Sequence, residues 1–183
     1  SPIVISSSPH AISQAHDAVV GCYILPPESY TIHMVVDHRE VRSRTSTFMD
    51  ARQQRITFEG ALTQRGVPCE LRVLELGDIL WVARPKRDLP PDKKKAWTYV
   101  QEVVLDTVVE RKRLDDLASS IFDGRWHDQK QRLRHAGIGQ VIYLIEDIDV
   151  PHLMQRHGAQ IQTALSSTQV IDGFFVHRTA NNQ

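Results

Sequence analysis

Glu110, Arg111 and Lys112 close an apolar run, Val103–Val109, and set an acid and a lysine two residues apart. On a strand, residues two apart project to one side, so Glu110 and Lys112 face together while Arg111 points away. Asp78, behind Gly77, adds a second carboxylate upstream. Two such acids hold a hard divalent cation through oxygen. The lysine then orients or deprotonates a water, or neutralises a phosphate, for in-line attack on phosphorus.

The elements that must position these residues follow from periodicity. Thr31–Val36 is β-rich and ends on Asp37, which places that acid at a strand end. The charged segment after it, with Arg39, Glu40 and Arg42, is either a site loop or a solvated turn. Thr47–Arg65 reads as a helix with Gly66 as its stop. Cys69–Leu76 alternates as a strand, and Gly77-Asp78 turns into a second one, Ile79–Ala83, giving a hairpin with Asp78 at the bend. Arg84–Trp97 carries Pro85, Pro90, Pro91 and Lys93–Lys95, so a mobile basic loop over about 85–97 is expected between core strands. Its Lys93, Lys94 and Lys95 either meet DNA backbone as releasable counterions or solubilise the loop.

Tyr99–Val109 resumes the sheet, and after Lys112 the period changes: Leu114, Leu117, Ala118 and Ile121 recur at helical spacing. Asp115 and Asp116 fall in that helix's first turn, where the macrodipole favours negative charge. Trp126–Ala136 is a second helix ending at Gly137, whose Gln129, Lys130 and Arg134 either line a DNA approach or decorate a surface. Val141–Ile145 is a buried strand followed by Glu146-Asp147, read as structural. Val150–Leu165 is helical with a break at Gly158, and Val170–Val176 is the last strand. The order is strand, helix, three strands, two helices, strand, helix, strand. It specifies an α/β fold with a mixed central sheet flanked by helices.

The 183 residues make one large domain or a domain with an arm, and 41% hydrophobic content is enough for a core. Ser1–Tyr30 reads as a poorly ordered arm, with Val19–Leu25 as an optional edge strand; residues 31–183 form the domain proper. A start at Ser1 without Met points to a piece of something longer. With 22 basic and 22 acidic side chains there is no global basic field, so any nucleic-acid contact rests on local clusters. No apolar stretch reaches the ~20 residues of a membrane helix. Cys22 and Cys69 lack metal spacing and read as reduced intracellular thiols, and the nine histidines lack the i,i+4 spacing of a zinc site.

Acid, then acid-x-lysine, is the minimal layout of restriction-type nucleases, and that short form recurs by chance. The longer string is specific. Gly77-Asp78 followed by Glu110-Arg111-Lys112-x-x-x-Asp116 resembles the signature of the XPF-type structure-specific endonucleases. ERKRLDDLASSIFDGR, Gln129-Lys130-x-Arg132-Leu133 and the segment Ser167–Val176 are similar to the branch of that family that supplies catalytic subunits of heterodimeric crossover-junction (flap and fork) endonucleases. The resemblance covers Ile32 to the end of the chain.

It implies a restriction-endonuclease-like fold and an active site of Asp37, Glu40, Asp78, Glu110, Arg111, Lys112 and Asp116. Metal would be held by Asp37, Asp78, Glu110 and the backbone carbonyl of Arg111. The ion would be Mg²⁺, with Mn²⁺ substituting. Glu40 would ligate or orient a metal-bound water, and Asp116 would support by pairing with Arg111 or positioning Lys112. Arg39, Arg42, Lys93, Lys94, Lys95, Gln129 and Lys130 are the candidate DNA contacts. The substrates implied are branched DNAs (3′ flaps, forks and nicked four-way junctions) cut in the nucleus during recombination and repair. The partner implied is a non-catalytic paralogous subunit, and the family's helix-hairpin-helix modules are absent from these residues. Two other readings compete: a non-catalytic DNA-binding or scaffold subunit, which should have lost its acids, and an unrelated metal-dependent nuclease with the same D…ExK skeleton.

Overall fold

Runs of β-branched and aliphatic residues form the strands of this protein, and the computed structural model describes residues 3–6, 22–42, 60–94, 101–147 and 150–180. The chain divides into two compact units, Ser1–Asp106 and Thr107–Gln183. Strands β1 (Ile3–Ser6) and β2 (Cys22–Leu25) pair antiparallel as a separate two-stranded sheet. The other strands are β3 (Tyr30–Asp37), β4 (Cys69–Arg72), β5 (Ile79–Pro85), β6 (Val103–Arg113), β7 (Gln140–Asp147) and β8 (Phe175–Ala180). They form a six-stranded mixed sheet in the order β4-β3-β5-β6-β7-β8. Among the described residues the strands from β3 onward and the helices after β6 follow the order read from periodicity, with β1, β2 and short helices at His38–Arg42 and Pro91–Lys94 in addition.

In the first unit, β3 lies between its neighbours, parallel to β4 and antiparallel to β5. The hairpin expected around Asp78 therefore does not form. β4 and β5 are consecutive in sequence but flank β3 on opposite sides, so residues 73–78 cross the end of β3 instead of folding β4 back on β5. One cluster packs Leu25, Ala83 and Leu89 with Tyr30, Val103 and Leu105; another packs Val35, Leu74 and Val82 with Leu80. Leu25 is fully buried, so the packed region begins upstream of Thr31. Arg72 and Arg84 both pair with Glu70 and Glu102, a four-residue charge network joining β4, β5 and the approach to β6. The basic loop contains a helical turn, Pro91–Lys94, and Lys93 Nζ donates to Pro27 O at 3.3 Å. Lys95 and most of the Thr47–Arg65 segment lie outside the described residues, while residues 60–64 are helical and Gly66 takes a positive φ of 74°.

In the second unit β6, β7 and β8 run parallel. Helices α1 (Leu114–Phe122) and α2 (Arg125–His135) connect β6 to β7, and α3 (Val150–Val170) connects β7 to β8. Leu114, Leu117 and Leu133 are fully buried, each worth about 2–3 kcal/mol of apolar transfer. Helix α3 runs through Gly158 without a break, and the Met154 side chain packs there, with Cε 3.3 Å from where a Cβ would sit. It also takes Val170, which the apolar pattern had assigned to the last strand. The chain turns at 171–174 and β8 starts at Phe175, leaving Val170 and Ile171 exposed. No described helix is long and apolar enough to cross a membrane.

Candidate active site

The first unit gathers its acids around the end of β3. Burial deepens along the strand, and Asp37, its last residue, is 1% exposed. Such a carboxylate requires donors, and it has four. Arg39 N and Nε reach Oδ1, each at 2.8 Å, while Arg39 Nη2 and Leu74 N reach Oδ2 at 2.7 and 2.9 Å. These bonds, led by Arg39, outweigh burial and hold the Asp37 carboxyl well below the usual aspartate range. Asp37 N donates to Asp78 O at 2.8 Å, and Gly77 supports the turn with φ 74°. The sequence therefore brings Asp78 beside Asp37 by a backbone bond rather than by a hairpin.

Arg39, expected at DNA, binds Asp37 through two nitrogens and gives Leu74 O a further bond at 2.9 Å. Its guanidinium is stabilised in the charged form first by Asp37, with Asp78 and Glu40 adding to the field. Asp37, Glu40 and Asp78 thus share one electrostatic neighbourhood around this arginine. The side chain of Arg42 lies outside the described residues.

The second unit presents the ERK segment on β6, and the period-two reading holds. Glu110 is 7% exposed and accepts a hydrogen bond from Gln129 Nε2 on α2. Arg111, on the opposite face, pairs with Glu146 of β7, both nearly buried at 11% and 8% side-chain exposure. Glu146, two residues along the neighbouring strand from Arg111's register partner Leu144, is the acid that this guanidinium binds. Lys112 is half-buried at the strand's end. Asp116 lies exposed in the first turn of α1, its N–H donating to Asp115 Oδ1, and Asp115 in turn pairs with Arg113.

Lys130 corrects the sequence reading. It is 7% exposed, its Nζ is 2.6 Å from Asp172 Oδ2, and it lies over the Trp126 ring at 5.7 Å. A lysine so enclosed cannot reach DNA. Periodicity contained the signal: Lys130 is four residues after Trp126 and three before Leu133, on the apolar stripe of α2. Gln129 likewise faces inward, onto Glu110 and Tyr143.

The acids are hard oxygen donors of the kind a divalent cation such as Mg²⁺ or Mn²⁺ accepts, so the donor chemistry fits such an ion. Among the described residues no three His, Cys, Asp or Glu side chains are gathered at metal-holding distance. Asp37 would have to exchange hydrogen bonds from Arg39 or Leu74 to join a metal.

Comparison with known proteins adds family to geometry. Residues 36–183 match the model of the ERCC4 domain. Crossover junction endonuclease mus81 of Aspergillus fumigatus is 40% identical over 98% of this chain and 29% of its own length. Structure-specific endonuclease subunit MUS81 of Mus musculus is 39% identical over 85% of this chain and 26% of its own. The chain thus spans about a quarter of the length of these curated relatives. A solved structure of XPF from Aeropyrum pernix in complex with DNA matches with a TM-score of 0.54 and 24% identity, covering 82% of this chain and 57% of that one. That likeness bears on the fold alone, and with the mixed six-stranded sheet it identifies the restriction-endonuclease-like architecture.

Proposed function

The chain belongs to the ERCC4 domain family, and from that premise we propose that it is the nuclease domain of a metal-dependent, structure-specific DNA endonuclease. Nucleases of this family are generally metal-dependent. The reaction is hydrolysis of a phosphodiester near a branch point, in 3′ flaps, forks and nicked four-way junctions, leaving a 5′ phosphate and a 3′ hydroxyl. The observation that carries the reading is the end of β6, where Glu110 is buried and held by a side-chain donor while Lys112 follows it on the same face.

Asp78 and Glu110, with Asp37 and the backbone carbonyl of Arg111, would hold Mg²⁺, for which Mn²⁺ substitutes. When bound, the ion supplies Lewis-acid polarisation of the phosphoryl group and a more acidic water. Lys112 orients or deprotonates the attacking water and stabilises the charge that develops on phosphorus. Glu40 orients water from the Asp37 side, and Asp116 supports Lys112 from the first turn of α1. The enzyme works in the nucleus, paired with a non-catalytic paralogous subunit. Exposed Val170, Ile171 and Phe175 in the second unit are consistent with such a partner.

The test is Mg²⁺-dependent cleavage of an end-labelled 3′-flap DNA by the full-length protein with its partner subunit. Asp78→Asn and Glu110→Gln should each lose cleavage near the branch by at least ~100-fold while DNA binding persists. Full activity in either variant removes that residue from the site. Binding without cleavage by the unsubstituted complex means a scaffold.

A further inference from the structure

Glu110 is buried on β6 of the second unit, and its surroundings are built to hold it in one orientation. In the parallel register of β6 and β7, Glu110 lies directly beside Tyr143, so the two side chains project from the same face of adjacent strands. Gln129 spans both. Its Nε2 donates to Glu110 Oε1, and its Oε1 accepts from the Tyr143 hydroxyl at 3.5 Å. An ionised carboxylate only accepts and a phenol is the better donor, so these partners fix which end of the amide faces which neighbour.

Both ends of this bridge are immobilised. Tyr143 is fully buried, with Trp126 at 4.5 Å and Phe174 at 6.1 Å between ring centroids. Helix α2, which carries Gln129, is tied to the turn after α3 by two bonds to Asp172, from Lys130 at 2.6 Å and Arg134 at 3.3 Å. A carboxylate that must offer an oxygen to a cation works only if its rotation is fixed, and neighbouring donors commonly do this.

We propose that Gln129 is a positioning residue for Glu110, setting the carboxylate's orientation for the cation, with Tyr143 as its anchor. The proposal rests on the endonuclease reading of this site. It replaces the assignment of Gln129 to DNA contact, because both ends of its amide are engaged by Glu110 and Tyr143.

Two substitutions isolate the bridge. Gln129→Met keeps the length and loses the amide. Tyr143→Phe removes only the hydroxyl and leaves the aromatic stack. Each is made in the full-length protein with its partner, and melting temperature is followed throughout. Flap-cleavage kinetics are measured with Mg²⁺, and Mn²⁺ binding is measured by electron paramagnetic resonance without DNA. Gln129→Met should lower kcat and weaken Mn²⁺ binding by about 10- to 100-fold, with KM for DNA unchanged. Tyr143→Phe should give the same signature at smaller size.

A raised KM with kcat and Mn²⁺ affinity intact would make Gln129 a DNA contact and overturn the proposal. Unchanged kcat and Mn²⁺ affinity in both variants, on an enzyme that cleaves, would overturn it too. If Gln129→Met fails to fold, Tyr143→Phe decides by the same criteria. Absence of cleavage by the unsubstituted enzyme would sink the endonuclease reading itself, and the Mn²⁺ comparison would still judge the bridge.

Discussion

Replacing Lys130 by Met should damage stability and leave DNA recognition alone. The ammonium and the Asp172 carboxylate are 9% and 6% exposed and lie 2.6 Å apart. Removing one member of a buried pair leaves the other uncompensated, at about 3–5 kcal/mol. Here the loss belongs at the lower end, about 3 kcal/mol, because Arg134 Nη1 remains 3.3 Å from Asp172 and keeps part of its charge neutralised. For a chain of this size each kcal/mol moves Tm by ~2–4 °C, so Lys130→Met should melt ~6–12 °C lower. Asp172→Asn should cost a comparable amount, and the double variant should fall well short of the sum, since the two side chains share one interaction. Calorimetric unfolding measures this directly. The competing view, that Lys130 neutralises a phosphate, makes the opposite forecast. Tm would hold, and the slope of log affinity against log salt would shrink by about one. Titration of branched DNA at several salt concentrations reads that slope, and such a result would refute the burial argument.

Arg111→Met removes the guanidinium that pairs with the nearly buried Glu146 and should destabilise by about 3–5 kcal/mol; a denaturant titration in which the midpoint does not move would refute it. Adding Glu146→Gln to that variant should recover part of the loss. Gly77→Ala forces a side chain onto a residue at φ 74°, at about 1–2 kcal/mol; thermal melting checks it, and an unchanged Tm would mean the turn tolerates a side chain. Asp115 has its carboxyl held below the ordinary value, first by the Arg113 hydrogen bond and against burial. Its contribution is therefore present above the unfolded-state pKa near 4 and is lost as pH falls through the lower folded value. Because the pair is more than a third exposed, Asp115→Asn should cost at most about 1 kcal/mol at pH 7. The gap from wild type should close as the medium is acidified below about pH 4, and a gap that widens with acid would contradict the assignment.

Local chemistry was enough to read much of this protein from its residues. The change from period two to period 3.6 after Lys112 fixes a strand that ends in ERK and runs into a helix, and the structure has both, with Glu110 and Arg111 on opposite faces. Strand ends at Asp37 and the order of elements follow from the same signals. What sequence did not determine is who stands beside whom. A glycine-containing turn between two strands looks like a hairpin at short range, and only the sheet's non-local pairing, with β3 inserted between β4 and β5, makes it a crossing segment that lays Asp78 beside Asp37. The acid that answers Arg111 is 35 residues away on β7, and the acid that answers Lys130 is 42 residues away in the turn before β8. Propensity acts over a few residues, whereas these pairs arise from strand register and helix docking. The tertiary structure therefore decided which charges are solvated and which hold the fold together.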